Sequence, residues 1–281
     1  MKPVKHGEHY VHGYHERERE RLEDQAGTLI DLLHGDTAYA ADSTVLEAGC
    51  GVGAQTVTLA RRSPAARFIS VDVSAESVAE AKRRAGRLGV TNVEFCQGDI
   101  FALGFGPETF DHIFACFVLE HVNRPAEALA ALGKVLRPGG TITVIEGDHG
   151  SAFFHPDSAA ARDAIQCQID LQAESGGNAL IGRQVYPLMV AAGFETVHVS
   201  ARVVYTDASR PELVNGFTTN TFIPMIKGIR ELAIRQGLTD PASFDAGVDA
   251  LCRTTHPDGA FCYTFFKAVG RRPARRTRQQ F

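Results

Sequence analysis

Three glycines at alternate positions, Gly49, Gly51 and Gly53, follow an apolar run and stand just after an acid in Val45-Leu46-Glu47-Ala48-Gly49-Cys50-Gly51-Val52-Gly53. Glycines at this density open backbone conformations that a Cβ forbids and let main-chain N–H groups come close to a ligand. The chemistry such a strand-loop-helix turn suits is the holding of a small cofactor. Its spacing alone does not choose which, because Gly49, Gly51 and Ala54 also satisfy the looser G-x-G-x-x-G/A dinucleotide fingerprint. A second strand pattern, Arg67-Phe68-Ile69-Ser70-Val71-Asp72, ends in an acid roughly 20 residues on, where ribose hydroxyls are met in either cofactor class.

Three further groups of residues stand at strand ends. A third strand pattern, residues 93–97, runs into Gly98-Asp99-Ile100. A fourth, residues 110–116, ends at Cys116 and is followed by Phe117-Val118-Leu119-Glu120-His121. Leu136-Arg137-Pro138-Gly139-Gly140 precedes a fifth, residues 141–146, after which Asp148 and His149 follow. An imidazole titrates near neutrality, so His149 is the candidate for acid-base work. His155 and Tyr186 read as structural.

The elements that must position these residues alternate. Helix patterns over residues 55–62, 75–88 and 125–136 separate the strands, and repeated right-handed strand-helix units give a parallel sheet with helices on both faces. Ligands bind at the carboxyl ends of such strands, where each group above falls. Beyond residue 150 come helices over 157–174 and 184–192, split by Gly176-Gly177-Asn178, then strands over 193–203 and 261–269. Ahead of the sheet, Leu22, Ala26, Leu29, Ile30 and Leu33 recur at helical spacing in residues 16–34, behind the aromatic and imidazole stretch His9-Tyr10-Val11-His12-Gly13-Tyr14.

With this order of motifs, residues 45–150 resemble the class I S-adenosylmethionine-dependent methyltransferases, in particular the small-molecule branch that includes the ubiquinone/menaquinone-biosynthesis type. The resemblance implies an α/β, Rossmann-like, doubly wound seven-stranded sheet whose last strand is antiparallel, with an N-terminal helix and a helical lid insertion. The expected organisation is an N-terminal cap over residues 1–42, a core over 43–205 and 260–270, a lid over 206–259 and a basic, disordered tail over 271–281. The resemblance also implies site roles. Gly49, Cys50, Gly51 and Gln55 would surround the methionine part of the cofactor, with Glu47 and the main chain of Cys116 toward its ammonium end. Asp72 would take the ribose hydroxyls, Val73 would pack on adenine, and Asp99 and Ile100 would bind its edge. Tyr10 and Tyr14 would close over the sulfonium, which a tyrosine face attracts by about 0.5 to 2 kcal/mol. Tyr14 and His149 are the catalytic candidates.

The expected acceptor is a small, largely apolar molecule, because the 206–259 insertion carries Phe217, Phe222, Ile223, Pro224, Met225 and Ile226. Carbon methylation of an isoprenoid-bearing secondary metabolite is the specific expectation. Oxygen or nitrogen methylation of a phenolic or quinone metabolite, RNA or protein methylation, and cofactor binding without turnover are the alternatives, with a nicotinamide dehydrogenase as the outsider. Composition bounds these choices. A chain of 281 residues, 44% hydrophobic, can bury a full α/β core, and a net charge of −4 gives no general attraction to nucleic acid. Six scattered cysteines show no metal spacing and read as reduced thiols in cytoplasm, so no metal is expected. Neither a signal peptide nor a run of roughly 18 apolar residues is evident. The N-terminal helix would bury its apolar face equally well on its own domain or on a second copy, which leaves a homo-oligomer open.

Overall fold

The computed structural model describes residues 27–275. Tyr10, Tyr14 and most of the predicted N-terminal helix lie outside them; of that helix the structure gives α1, Ile30–His34. Seven strands follow: β1 Thr44–Ala48, β2 Arg67–Asp72, β3 Val93–Gln97, β4 Phe110–Cys116, β5 Leu136–His155, β6 Glu195–Asp207 and β7 Ala260–Arg271. They form one sheet in the order β3-β2-β1-β4-β5-β7-β6. The first five run parallel and β7 lies antiparallel between β5 and β6, as expected.

Crossover helices α2 Ala54–Arg62, α3 Ala75–Arg87 and α4 Pro125–Val135 return the chain from one parallel strand to the next, and α5 Ala159–Glu174 and α6 Val185–Ala191 follow β5. Several begin at side-chain caps: Ser74 accepts from Ser77 N–H and Ser158 from Ala161 N–H, satisfying amides that a first turn leaves open. Central strands of a parallel sheet are buried on both faces, and their residues alternate between two cores. Val45, Phe114 and Ile145 join α1, α5 and the 208–259 insertion on one face, whereas Leu46, Ile113 and Val144 join α4 and α6 on the other.

β5 continues well past the predicted end at residue 146. Its antiparallel partner β7 is long, pairing with it from Thr141 to Asp148 and again from Phe153 to His155 across an irregularity. β6 likewise reaches Asp207, so the insertion starts slightly later than predicted. It contains a short helical turn Pro211–Leu213, a π-helical stretch Val214–Phe222, α7 Ile223–Gly228, α8 Arg230–Arg235 and α9 Pro241–Arg253. The basic end also corrects the expectation of a free tail from residue 271. Arg271 closes β7, Arg272 N–H donates to Gly140 O, and Arg272 and Arg275 pair with Glu108.

Lys267 on β7 fastens α1 to the sheet. Its buried Nζ donates to Leu33 O, the last turn of α1, and to Asp36 and Thr37 just beyond.

Candidate cofactor and acceptor site

All three glycines of the loop have left-handed backbone angles, with φ of +75° at Gly49, +51° at Gly51 and +78° at Gly53. A side chain is strained at each, but the surroundings differ. A Cβ on Gly49 would stand 2.4 Å from Val118 Cγ2, and one on Gly53 would meet Ala81 of α3 at 3.0 Å; at Gly51 nothing among the described residues lies within 4 Å. Two of the glycines therefore allow close packing, and the third keeps its face of the loop open for a ligand. The cradle is fixed from below, where Gly49 N–H and Cys50 N–H both donate to Val71 O at the end of β2.

Asp72 sits where β2 meets this cradle. Its Oδ2 accepts Gly51 N–H at 2.8 Å and its Oδ1 accepts Ser74 N–H at 2.9 Å. The cap of α3 is Ser74, so Asp72 is not needed as a helix cap. Each oxygen keeps a lone pair for a diol, and burial raises the carboxyl above its ordinary range. Val73 beside it is 41% exposed, an apolar side chain offered at the mouth. Asp99 Oδ1 accepts Phe101 N–H at 2.9 Å, which shapes the turn after β3 and brings Asp99 and Ile100 to the same end of the sheet.

Glu47 is held inside the sheet rather than on the loop surface. Its Oε2 accepts the hydroxyls of Thr56 and Ser70, each at 2.6 Å, and burial pushes its carboxyl up to about 7. Gln55, at the start of α2, is engaged by α1: its Oε1 lies 2.5 Å from His34 Nε2. The thiols of Cys50 and Cys116 are buried and pushed upward, so any part they take falls to their main chain.

Sequence reasoning missed the group that shapes the turn after β4. Phe117 has φ +58°, an uncommon angle for a bulky residue and one found at strained functional turns. Buried Glu146 on β5 holds the next two residues, its Oε1 accepting Val118 N–H at 3.0 Å and Leu119 N–H at 2.7 Å. Val118 is the side chain that closes on Gly49, so this carboxyl positions a wall of the cradle. Among the described residues Glu146 Oε2 is buried without a hydrogen-bond partner, and burial beside Glu120 raises the group well above the usual carboxylate range. Sequence offered no signal for Phe117, whose backbone angle depends on the turn that Glu146 imposes.

His149 lies under the insertion, 6% exposed. Its Nδ1 is 3.0 Å from Tyr263 Oη on β7 and its Nε2 is 3.4 Å from Met225 Sδ on α7. A Cβ on Gly147 would stand 2.4 Å from that hydroxyl, so the glycine makes room for Tyr263. Phe217, Phe222 and Phe265 stand around Tyr263 with ring centroids 4.8 to 5.7 Å from its own, and Phe261 packs in turn on Phe217 and Phe222. Next to His149, Asp148 forms a two-pronged ion pair with Arg183 at 2.7 and 2.8 Å. The structure thus gathers Glu47, Gly49, Cys50, Gly51, Gln55, Asp72, Val73, Asp99, Ile100 and Cys116 around the carboxyl ends of β1 to β4 and sets His149 within the extended part of β5. A separate cleft of about 490 Å³, lined by Ser43, Asp111, His112, Arg137 and Gly140, opens at the opposite, amino ends of the strands.

A sheet in this order, with a glycine cradle after β1 and an acid at the tip of β2, defines a Rossmann-like methyltransferase fold. The chain belongs to the methyltransferase-domain family, which matches residues 40–193, and binding of S-adenosylmethionine is typical of that domain. An uncharacterized 37.1 kDa protein in transposon TN4556 of Streptomyces fradiae is 36% identical over 213 residues, covering 70% of this chain and 60% of that protein. Trans-aconitate 2-methyltransferase of Deinococcus radiodurans is 31% identical over 61% of this chain and 56% of its own length. The chain spans 35 to 60% of the length of the curated relatives it matches first. Among solved structures, the [4+2]-cyclase SpnF superposes with a TM-score of 0.55 at 21% identity, over 97% of this chain and 89% of that one. A fold shared with a protein named as a cyclase does not by itself choose a reaction.

Proposed function

We propose that this chain is an S-adenosylmethionine-dependent methyltransferase acting on a small, largely apolar molecule. The observation that carries the reading is the cradle itself: among the described residues Gly51 opens onto free space, while its N–H is held by Asp72, the acid at the tip of β2. When bound, S-adenosylmethionine supplies a methyl group already activated on a sulfonium. The residues of this chain have to bind, align and exclude water. In this reading the main chain of Gly49 to Gly51 lies along the methionine part, Asp72 takes the ribose, Val73 and Ile100 enclose the adenine, and Asp99 meets its amino group. Tyr14 and Tyr10 are proposed to close the mouth from the N-terminal segment.

The acceptor would lie between the turn after β4 and the insertion over residues 208–259, which acts as a lid. Its lining supports an apolar acceptor, because Phe217, Phe222 and Met225 cover His149 and Tyr263 there. Carbon methylation of an isoprenoid-bearing metabolite draws support from the same rings, which would stabilise a developing cation; oxygen methylation of a phenolic or quinone-type metabolite draws it from the buried His149 and Tyr263. No described helix is long and apolar enough to cross a membrane. All six cysteines are free thiols, which suits a cytoplasmic enzyme. The test is a panel of prenylated, phenolic and amine acceptors offered with methyl-labelled cofactor. Label in one small-molecule class supports the reading, and label only in RNA or protein, or in none of the panel, contradicts it.

A further inference from the structure

Tyr263 and His149 form a buried pair whose hydrogens can be assigned. The phenol oxygen lies 3.0 Å from His149 Nδ1. Its own hydrogen needs an acceptor, since a buried hydroxyl left without one is costly. Among the described residues Nδ1 is the acceptor it reaches, so Tyr263 O–H donates to Nδ1 and the neutral ring carries its hydrogen on Nε2. That nitrogen points at Met225 Sδ, a weak acceptor on α7 of the insertion.

We propose that Tyr263 is a positioning residue that fixes His149 in the Nε2–H form, so that His149 offers the methyl acceptor a hydrogen-bond donor and not a base. This rests on the methyltransferase reading above and narrows it to one acceptor class. The group that takes the place of the Met225 sulfur presents an oxygen lone pair, as an ionised phenol or enol does. An ionised oxygen forms its O–C bond as the C–S bond breaks, and its negative charge and the sulfonium charge vanish together. No proton has to reach His149 in that transfer.

Among the described residues, the charged and titratable groups around the pair are compatible with such an oxygen. Asp148 is neutralised by Arg183, and burial favours the uncharged form of Glu146. Glu120, on the turn after β4, is tied to Gln172 of α5. From the insertion, Phe222 and Met225 face His149, and neither titrates.

The test is long-range proton–nitrogen NMR on the full chain labelled with ¹⁵N-histidine, recorded at pH 7.5 with and without S-adenosylhomocysteine. The expected spectrum assigns His149 a protonated Nε2 and an unprotonated Nδ1. Met225→Leu should move the Nε2 signal and leave Nδ1 in place, and Tyr263→Phe should release the ring to a mixture of both forms. A wild-type spectrum with the hydrogen on Nδ1 overturns the proposal, as does an unchanged His149 in a folded Tyr263→Phe protein. The wild-type spectrum decides the matter even where a variant does not fold. Failure to bind S-adenosylhomocysteine would instead overturn the function on which the proposal rests, and the ligand-free spectrum would still report the tautomer.

Discussion

Gly51 N–H donates to Asp72 Oδ2 at 2.8 Å, which joins the loop after β1 to the tip of β2 through a single side chain. The bond explains why an acid stands at the end of the second strand: it holds the cradle before any ligand arrives. Asp72→Ala should weaken cofactor binding at least about 100-fold, since it removes an acceptor from a part-buried amide together with the ribose contact, about 3 kcal/mol in all. Isothermal titration measures this directly.

The glycines should separate by role. Gly49→Ala sets a methyl against Val118 and Gly53→Ala sets one against Ala81, so both should lower thermal stability as well as affinity. Gly51→Ala meets no atom of the described residues and carries only the left-handed backbone cost, about 1 kcal/mol. It should lose affinity out of proportion to stability, which a melting curve set beside a titration will show.

Glu47 links cofactor binding to pH. Burial raises its folded value to about 7 from 4.5, so its neutral form supports the ligand-free fold below pH 4.5 and that support is lost as pH rises through 7. An ammonium group nearby would favour the ionised form. Affinity should therefore fall as pH drops below 7, by at most about tenfold per unit, and Glu47→Gln should flatten the dependence. Titrations between pH 5 and 8 check both slopes.

His34 acts on stability in another window. Burial holds its imidazole down at about 4 against 6.5. The unfolded chain then binds a proton that the folded chain refuses, so stability is intact above pH 6.5 and is lost as pH falls toward 4, by about 3 kcal/mol in total. Urea unfolding across that range should show the loss, and His34→Gln should remove most of it.

Glu146 should reveal itself through its shape more than its charge. Glu146→Gln keeps an oxygen for Val118 and Leu119 N–H, and is expected to stay within about 1 kcal/mol of the parent. Glu146→Ala leaves two amides open and frees the wall against Gly49, which should cost about 2 to 3 kcal/mol and loosen cofactor binding. Denaturant midpoints and titrations of the two variants distinguish these outcomes.

The sheet was legible in the sequence because its strands are short apolar runs punctuated by glycine and acid, and the loop and Asp72 announce themselves by spacing. The turn after β4 was not. Phe117 takes its backbone angle from Glu146, nearly thirty residues away, and a carboxyl on an apolar strand reads only as an interruption. Tyr263 was hidden for the same reason: it meets His149 because β7 inserts beside β5, a pairing across more than a hundred residues that local pattern cannot encode. The length of β5 escaped as well, since its continuation depends on how far β7 extends alongside it. The candidate base His149 was found by residue type and position, but its hydrogen-bonding role came only with its neighbour.

The central claim is that the cradle around Gly51 holds a sulfonium nucleoside. Titration calorimetry of the full chain with S-adenosylmethionine, S-adenosylhomocysteine and NADH tests it most directly. The account predicts saturable one-to-one binding of the first two, lost in Asp72→Ala, and no binding of the third. Tight NADH binding with no heat from either sulfur nucleoside would contradict it.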